Sequence, residues 1–495
     1  MKKIVINRAE YIDKVYGCWI GKNIGGTLGT PFEGRREILD VTGYTSPAGS
    51  PLPNDDLDLQ LVWLKAVIEH GVKNITASLL SEYWIDFIPP PWGEYGIGKM
   101  NIRAGLLPPL SGMHNNEILR HSNGAWIRSE IWACLFPAAP DAAIRLAYED
   151  ASVDHGSGEG MYAELFTAAV ESAAFVISDV RELIRIGLSK IPPDCRVARA
   201  VNIAVTAYDA KRTWQEARGL VVADSVPEIG WFQAPANVGF VIIGWLYGEG
   251  DFGRSLLIAT NCGDDTDCTA ATLGAVMGII RGAKNIPAEW IKPIGDSIVT
   301  VAINRGPAQG FWPKTLAELT EKTIAQTPLA LAAFGTPVEI NDGATDVTAL
   351  SGMDFAAKAT AEKICARSPY AVRVSSPNAV ITLDYQRSPV LRAGEPFTVR
   401  VDIESVTADH CQFDITWYLP DNIRVLEGKT RTALMLQRWV ESGLISRGSG
   451  KPHEPFTFTL VADRLDTGTI RGVLEVRAQG RANAGYIPVV FLNEG

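Results

Sequence analysis

The sequence predicts a multidomain protein, α then β: an all-α helical domain followed by a C-terminal antiparallel β-sandwich. Three observations carry that expectation. Apolar residues recur at three and four positions up to about residue 370 and at two beyond it. A chain of 495 residues exceeds what one ordinary hydrophobic core serves. Hydrophobic residues at 46% and charged residues at 21% describe a globular chain rather than a disordered or fibrous one.

The helical part is read over residues 1–365. Leu57, Leu61, Leu64 and Ile68 form one helical stripe, and Leu165, Ala168, Ala169 and Ala173 form another. Pro and Gly separate such runs, as in Pro89-Pro90-Pro91-Trp92-Gly93 and Leu107-Pro108-Pro109-Leu110. The expected picture is many helices of moderate length joined by loops. The segment from Pro89 to Met113 carries Trp92 and Tyr95, which could stack on a base or a sugar or pack onto the C-terminal part.

The β part is read over residues 370–495 as an immunoglobulin-like sandwich, with the seam near Ala366-Arg367-Ser368-Pro369. Ile381, Leu383 and Tyr385 alternate with polar neighbours, as do Phe397, Val399, Val401 and Ile403, and Phe456, Phe458 and Leu460. Tyr486 to Leu492 closes the chain on a near-continuous apolar strand. Short runs of period two separated by Arg-Ala-Gly-Glu, Pro-Asp-Asn and Asp-Thr-Gly turns indicate antiparallel sheets.

Charge and cysteine usage exclude several classes. A net charge of -10 argues against nucleic acid or an anionic membrane as partner. Seven scattered cysteines without a CxxC pair suit a reducing compartment. The apolar start Ile4-Val5-Ile6 is too short for a secretory signal, and Val238 to Tyr247 is too short to span a membrane. A cytoplasmic protein is expected, acting on a small-molecule or conjugated glycoside.

Carboxylates crowd at two predicted helix starts: Asn54-Asp55-Asp56-Leu57-Asp58, and Gly263-Asp264-Asp265-Thr266-Asp267-Cys268. One or two acids at a helix start are accounted for by capping and by the macrodipole, at ~0.3–1 kcal/mol each. Three within four residues need more, because like charges ~4 Å apart repel by about 4 kcal/mol at an effective dielectric of ~20. A hard divalent cation would remove that repulsion. Ala270, Ala271, Gly274, Ala275 and Gly278 mark the second helix as one buried at close range, whether as plain core or as a rigid mount for the acids.

These motifs, in their order, resemble the ADP-ribosylglycohydrolase family (dinitrogenase-reductase-activating-glycohydrolase-like) over about residues 10–300. Gly25-Gly26-Thr27-Leu28-Gly29-Thr30-Pro31-Phe32-Glu33-Gly34 is similar to the family's Gly-rich opening, which ends in a functional Glu. Asn54-Asp55-Asp56-Leu57 resembles its Thr/Ser-Asp-Asp-Thr motif, and Asn123-Gly124-Ala125-Trp126-Ile127-Arg128 its Asn-Gly-x-x-x-Arg helix start. His155 stands where the family often has a His, and Asp265-Thr266-Asp267-Cys268 resembles the closing Asp-x-Asp-Thr.

The resemblance implies an all-α fold with two Mg²⁺ ions between helix termini, Mn²⁺ being the alternative. By position it implies Asn54, Asp55, Asp56, Asp265, Asp267 and Cys268 as metal ligands. It likewise implies Glu33 and Asp56 as catalytic groups, and Asn123, Gly124 and His155 as substrate contacts. Three positions depart from the pattern: Asn54 for Thr or Ser, Cys268 for Thr, and Gly26 where the family commonly has Asp. A thiol is a poor ligand for Mg²⁺, whereas an amide oxygen is an adequate one. Asp58 and Asp264 are extra acids that could adjust the coordination.

The function so implied is Mg-dependent hydrolysis of a ribosyl-type glycosidic bond, with ADP-ribosyl conjugates as the leading substrate class. The alternatives are a related glycosidase acting on a glycoside or nucleoside-like conjugate without ADP-ribose, or a catalytically silent binding module. The loop Asp154-His155-Gly156-Ser157-Gly158-Glu159-Gly160 could cradle a phosphate or simply open a helix.

Overall fold

The computed structural model describes residues 3–493 apart from 49, 226, 305, 307–309, 407–410 and 436–454. The chain forms two compact units: residues 1–99 with 115–366, and residues 100–114 with 367–495.

The first unit is helical. Its first helix, Arg8–Gly29, starts where the Asn7 side chain accepts the Ala9 and Glu10 N–H groups. Before it, β1 (Ile4–Asn7) pairs in parallel with β2 (Val338–Asn341). The second helix, Asp55–His70, carries the Leu57-Leu61-Leu64 stripe into the core and stops at Gly71, whose φ of 76° breaks the helical run. The Glu159–Ala174 and Ala234–Tyr247 helices are buried almost throughout. The second of these is apolar almost all round, which leaves it no solvent side; the first also buries Glu164 and Glu171. Among the described residues no helix is long and apolar enough to cross a membrane. No disulfide links any of the cysteines among the described residues.

The helix that closes the acidic motif, Thr266–Arg281, runs against the first helix in the opposite direction. Gly17, Gly21, Gly25 and Gly29 meet Gly278, Gly274, Ala270 and Thr266 in turn. A Cβ at Gly21 would overlap the Gly274 carbonyl oxygen, and one at Gly25 the Ala270 carbonyl oxygen. Backbones that touch leave no room for a side chain, so glycine persists mid-helix at a cost of ~1 kcal/mol relative to Ala.

The second unit holds two antiparallel sheets. Its strands are β3 (Ala371–Ser375), β4 (Ala379–Asp384), β5 (Pro396–Ser405), β6 (Cys411–Tyr418), β7 (Ile423–Val425), β8 (Thr430–Met435), β9 (Phe456–Ala462), β10 (Thr469–Ala478) and β11 (Ala484–Leu492). One sheet runs β11-β10-β6-β8 and the other β3-β4-β5-β9-β7. The alternation read from the sequence decides which face is buried: Phe397, Val399, Val401 and Ile403 are each at most 1% exposed. The hydrophobic core draws on both sheets and also on Leu106 and Leu110. The stretch from Pro89 to Met113 thus divides, its first part belonging to the helical unit and its second to the core of the sheets.

Candidate active site

The antiparallel match of the first and closing helices brings the end of one to the start of the other. Glu33, just past the first helix, therefore meets Asp265 and Asp267 at the N-terminal end of the closing helix. A short backbone bridge holds this meeting in register. Gly34 N–H donates to the Asp264 carbonyl at 2.9 Å, and Asp264 N–H donates to the Arg35 carbonyl at 2.7 Å. Gly263 makes the turn at φ 76°, where a Cβ would strike the Glu37 and Arg35 carbonyls.

Glu33, Asp265 and Asp267 each offer a carboxylate oxygen, all within 4.8 Å of one another. Asp265 is 1% and Asp267 5% exposed, and among the described residues neither Oδ1 has a hydrogen-bond partner. Buried carboxylate oxygens are costly when unmatched, so the group suits a hard cation. Asp265 is aimed by its neighbours: Asn123 Nδ2 donates to its Oδ2 at 2.7 Å, and its own N–H donates to Asn237 Oδ1 at 3.1 Å.

Asp56, Asp267 and Cys268 form a second group within 4.8 Å, sharing Asp267 with the first. Its chemistry differs. The Cys268 thiol donates to Asp56 Oδ1 at 3.5 Å, and the Lys22 ammonium lies 3.7 Å from Asp56 Oδ2. Lys22 also pairs with Glu130 at 2.7 Å, and all three charged side chains are fully buried. Gln60 ties them to the second helix, donating from Nε2 to Glu130 Oε2 at 2.8 Å and to the Asp56 carbonyl at 3.0 Å.

Like charge and burial move the acids together. Burial, then Asp267 and Asp55, push the Glu33 carboxyl up to about 8. Burial and Asp267 push Asp55 up to about 7. Asp265 is raised well above the carboxylate range by burial and by Asp267. Burial also raises Asp56, against the pull of the Lys22 ammonium. For Lys22 burial acts downward, but Glu130 and Asp56 outweigh it and keep the ammonium charged. Cys268 is raised by burial and by Asp265, so its sulfur stays a thiol.

The remaining residues singled out in the sequence occupy defined places. Asn54 Oδ1 caps the second helix by accepting the Asp56 N–H at 2.9 Å. Its Nδ2 fills the space over Gly26, where a Cβ would overlap it. The two departures are therefore complementary, the small residue making room for the large one. Asp58 accepts the Val301 and Ala302 N–H groups at 2.6 and 2.7 Å, and Asp264 pairs with Arg36 at 3.3 Å. Both extra acids are thus engaged away from the two carboxylate groups.

Asn123 to Arg128 forms a loop and one 3-10 turn, Trp126–Arg128, rather than the expected helix start. The buried Arg128 guanidinium explains this. It reaches back to the Gly124 carbonyl and pairs with Asp150 at 2.8 Å and Asp154 at 2.7 Å. Gly124 has no room for a Cβ because Glu94 packs against it. His155 is fully buried, with Nδ1 3.0 Å from Asp154 Oδ1 and Nε2 3.2 Å from Ser122 Oγ. With Glu94 and Asp154 it makes a third group within 4.8 Å. Burial pushes Glu94 up to about 7, opposed by His155. Burial would raise Asp154 too, but Arg128 and His155 hold it down at about 2.

A family model described as ADP-ribosylglycohydrolase matches residues 7–326. The chain belongs to the ADP-ribosylglycohydrolase family. It is similar to the ADP-ribosylarginine hydrolase of Serratia proteamaculans (strain 568), 22% identical over 309 residues, 58% of this chain and 76% of that protein. It is also similar to the ADP-ribosylarginine hydrolase of Pseudomonas putida (strain GB-1), 22% identical over 298 residues, 58% of this chain and 75% of that protein. A solved structure described as an ADP-ribosylglycohydrolase-related protein complex aligns at a TM-score of 0.44 and 18% identity, covering 65% of this chain and 99% of that one.

Three charged residues of this region escaped the sequence reading: Lys22, Glu130 and Glu94. Lys22 had a signal, being the one charged side chain between Val15 and Gly29 in a helix of glycines and apolar residues. Such a residue is buried with a partner or it breaks the helix's packing.

Proposed function

We propose that this protein hydrolyses a ribosyl-type glycosidic bond with the help of a divalent cation, ADP-ribosyl conjugates being the leading substrate class. The observation that carries the reading is the meeting of Glu33 with Asp265 and Asp267, whose buried oxygens suit Mg²⁺ or Mn²⁺. A cation bound there would supply Lewis-acid polarisation of an oxygen.

The chain's own residues do the rest. Asp265 is held in position by Asn123 and Asn237. Glu33 is carried on the solvent-exposed side of the group, where it can pass a proton to or from the reacting oxygen. Asp56, held by Lys22, would back the group through its contact with Asp267. Asn123 would act through Asp265, and Gly124 and His155 through Glu94 and Asp154. The Gly230–Phe232 turn places Trp231 beside Gly34, and Phe232 lies beside Gly93, next to the half-exposed Trp92. These rings offer flat surfaces on which a sugar or base can stack.

The curated relatives are named as ADP-ribosylarginine hydrolases, which makes arginine-linked ADP-ribose the first substrate to test. One observation favours a second reading, a glycoside that keeps the cis-diol but lacks the diphosphate. The arginines nearest Glu33 are already paired, Arg35 with Glu37 at 2.8 Å and Arg36 with Asp264 at 3.3 Å. Turnover of ADP-ribosyl-arginine and of nitrophenyl ribosides should be measured with Mg²⁺ and with EDTA. Cation-dependent release from either supports hydrolysis. Silence on every ribosyl glycoside, with the protein folded, would sink the enzyme reading.

A further inference from the structure

The two carboxylate groups that share Asp267 are unequal, and Lys22 is the reason. Around Glu33, Asp265 and Asp267 every candidate ligand is oxygen, and two buried Oδ1 atoms are unmatched. Around Asp56 the neighbours differ: Oδ1 accepts a thiol hydrogen at 3.5 Å, and Oδ2, which makes no hydrogen bond among the described residues, faces an ammonium at 3.7 Å. Cys268 offers a soft sulfur donor, which hard cations do not seek. Asn54 Oδ1 already accepts the Asp56 N–H at 2.9 Å.

The ammonium has nowhere to withdraw. It is fully buried and held by Glu130 at 2.7 Å, Glu130 is held by Gln60, and Gln60 Oε1 accepts the Ile131 N–H at 2.8 Å. A dication beside Asp56 would sit against this fixed positive charge among fully buried side chains. The ammonium already supplies the neutralisation that a cation there would bring.

We propose that the carboxylate group of Glu33, Asp265 and Asp267 binds one divalent cation, and that the Lys22 ammonium takes the place of a second at Asp56. This rests on the cation-assisted reading above and departs from the two-ion expectation.

The test is a count on the full chain. Mn²⁺ titration with metal analysis and electron paramagnetic resonance should give one ion per chain with the six-line spectrum of an isolated centre. Asp267→Asn should weaken Mn²⁺ by more than the roughly 10–100-fold seen when residues beyond the ligands are changed, and Asp56→Asn by less than about 10-fold. Lys22→Gln, checked for folding by circular dichroism, should take up a second Mn²⁺. Two ions per unsubstituted chain, with a spin-coupled spectrum, would overturn the proposal and leave a metal-assisted hydrolase standing. No ion at all would remove the site and the metal part of the functional reading together. Equal losses for Asp56→Asn and Asp267→Asn, or a folded Lys22→Gln still holding one ion, would refute the part given to Lys22.

Discussion

Glu33 and Asp267 face the same small volume but are expected to fail differently. Gln at position 33 keeps an oxygen toward the cation and loses only the exchangeable proton. Glu33→Gln should therefore lower kcat by ~10²–10⁴-fold with Mn²⁺ affinity little changed. Unchanged kcat on a true substrate would remove Glu33 as the proton-transferring group. Glu94 offers a pH test away from the cation. The unfolded chain loses that proton near the ordinary 4.5 and the folded chain near 7. Between these values the folded state holds the extra proton, so stability falls as pH rises through the window, by roughly 3 kcal/mol in all. Glu94→Gln should gain on the unsubstituted protein between pH 5 and pH 8 in urea unfolding; a difference that ignores pH would show that burial does not govern this carboxyl. Asp55, Asp56, Asp265 and Asp267 stood out in the sequence because crowded charge at a helix start is a local pattern, and Glu33 only through the family resemblance. Lys22, Glu130 and Glu94 were not, because what explains each is a partner far along the chain.

At the scale of elements the periods carried most of the information. Stripes at three and four became helices, and alternation at two became strands whose buried faces are the residues read from the pattern. Small residues in the closing helix pointed to close burial, but their partner surface did not show until Gly17, Gly21, Gly25 and Gly29 lay against it. That seam is testable. Gly21→Ala gains helix propensity, yet its methyl would enter the Gly274 carbonyl, so a net loss of about 1–3 kcal/mol is expected from overpacking. A thermal melt at or above the original midpoint would contradict the close approach. Gly26 and Asn54 should couple in the same way. Gly26→Asp alone should destabilise because the Asn54 amide fills its space, and Asn54→Ser should relieve it, giving an interaction energy of about 0.5–3 kcal/mol in a double-mutant cycle. Additive effects would mean the two departures are independent.

The whole molecule divides along lines that the sequence showed only in part. The change of period near residue 370 is visible in composition and alternation, and the second unit takes up again at Arg367. That residues 100–114 join it was not legible, because Leu106 and Leu110 look like any apolar pair in a loop until the strands they pack with are in place. Both are only 1% exposed. A chain truncated after Ser368 should therefore keep helical circular dichroism while exposing these two leucines, seen as dye binding and association on size exclusion. A monodisperse, dye-silent product would show that the segment finds shelter without the sheets.

The touching backbones of the first and closing helices also set a clock. Where side chains interdigitate, a helix can loosen a turn at a time; where carbonyl meets Cα there is nothing soft to yield, and separation is all or none. Amide protons from Gly17 to Gly29 and from Thr266 to Gly278 should then exchange with deuterium only when the helical unit unfolds as a whole. Glu33 and its loop, tied on by two backbone hydrogen bonds, should exchange far sooner. The ligands would thus hang from the slowest part of the molecule while the proton-transferring group rides on one of the quickest, so a cation added at 100 times its Kd should slow exchange in the seam by about 2.7 kcal/mol, roughly 100-fold.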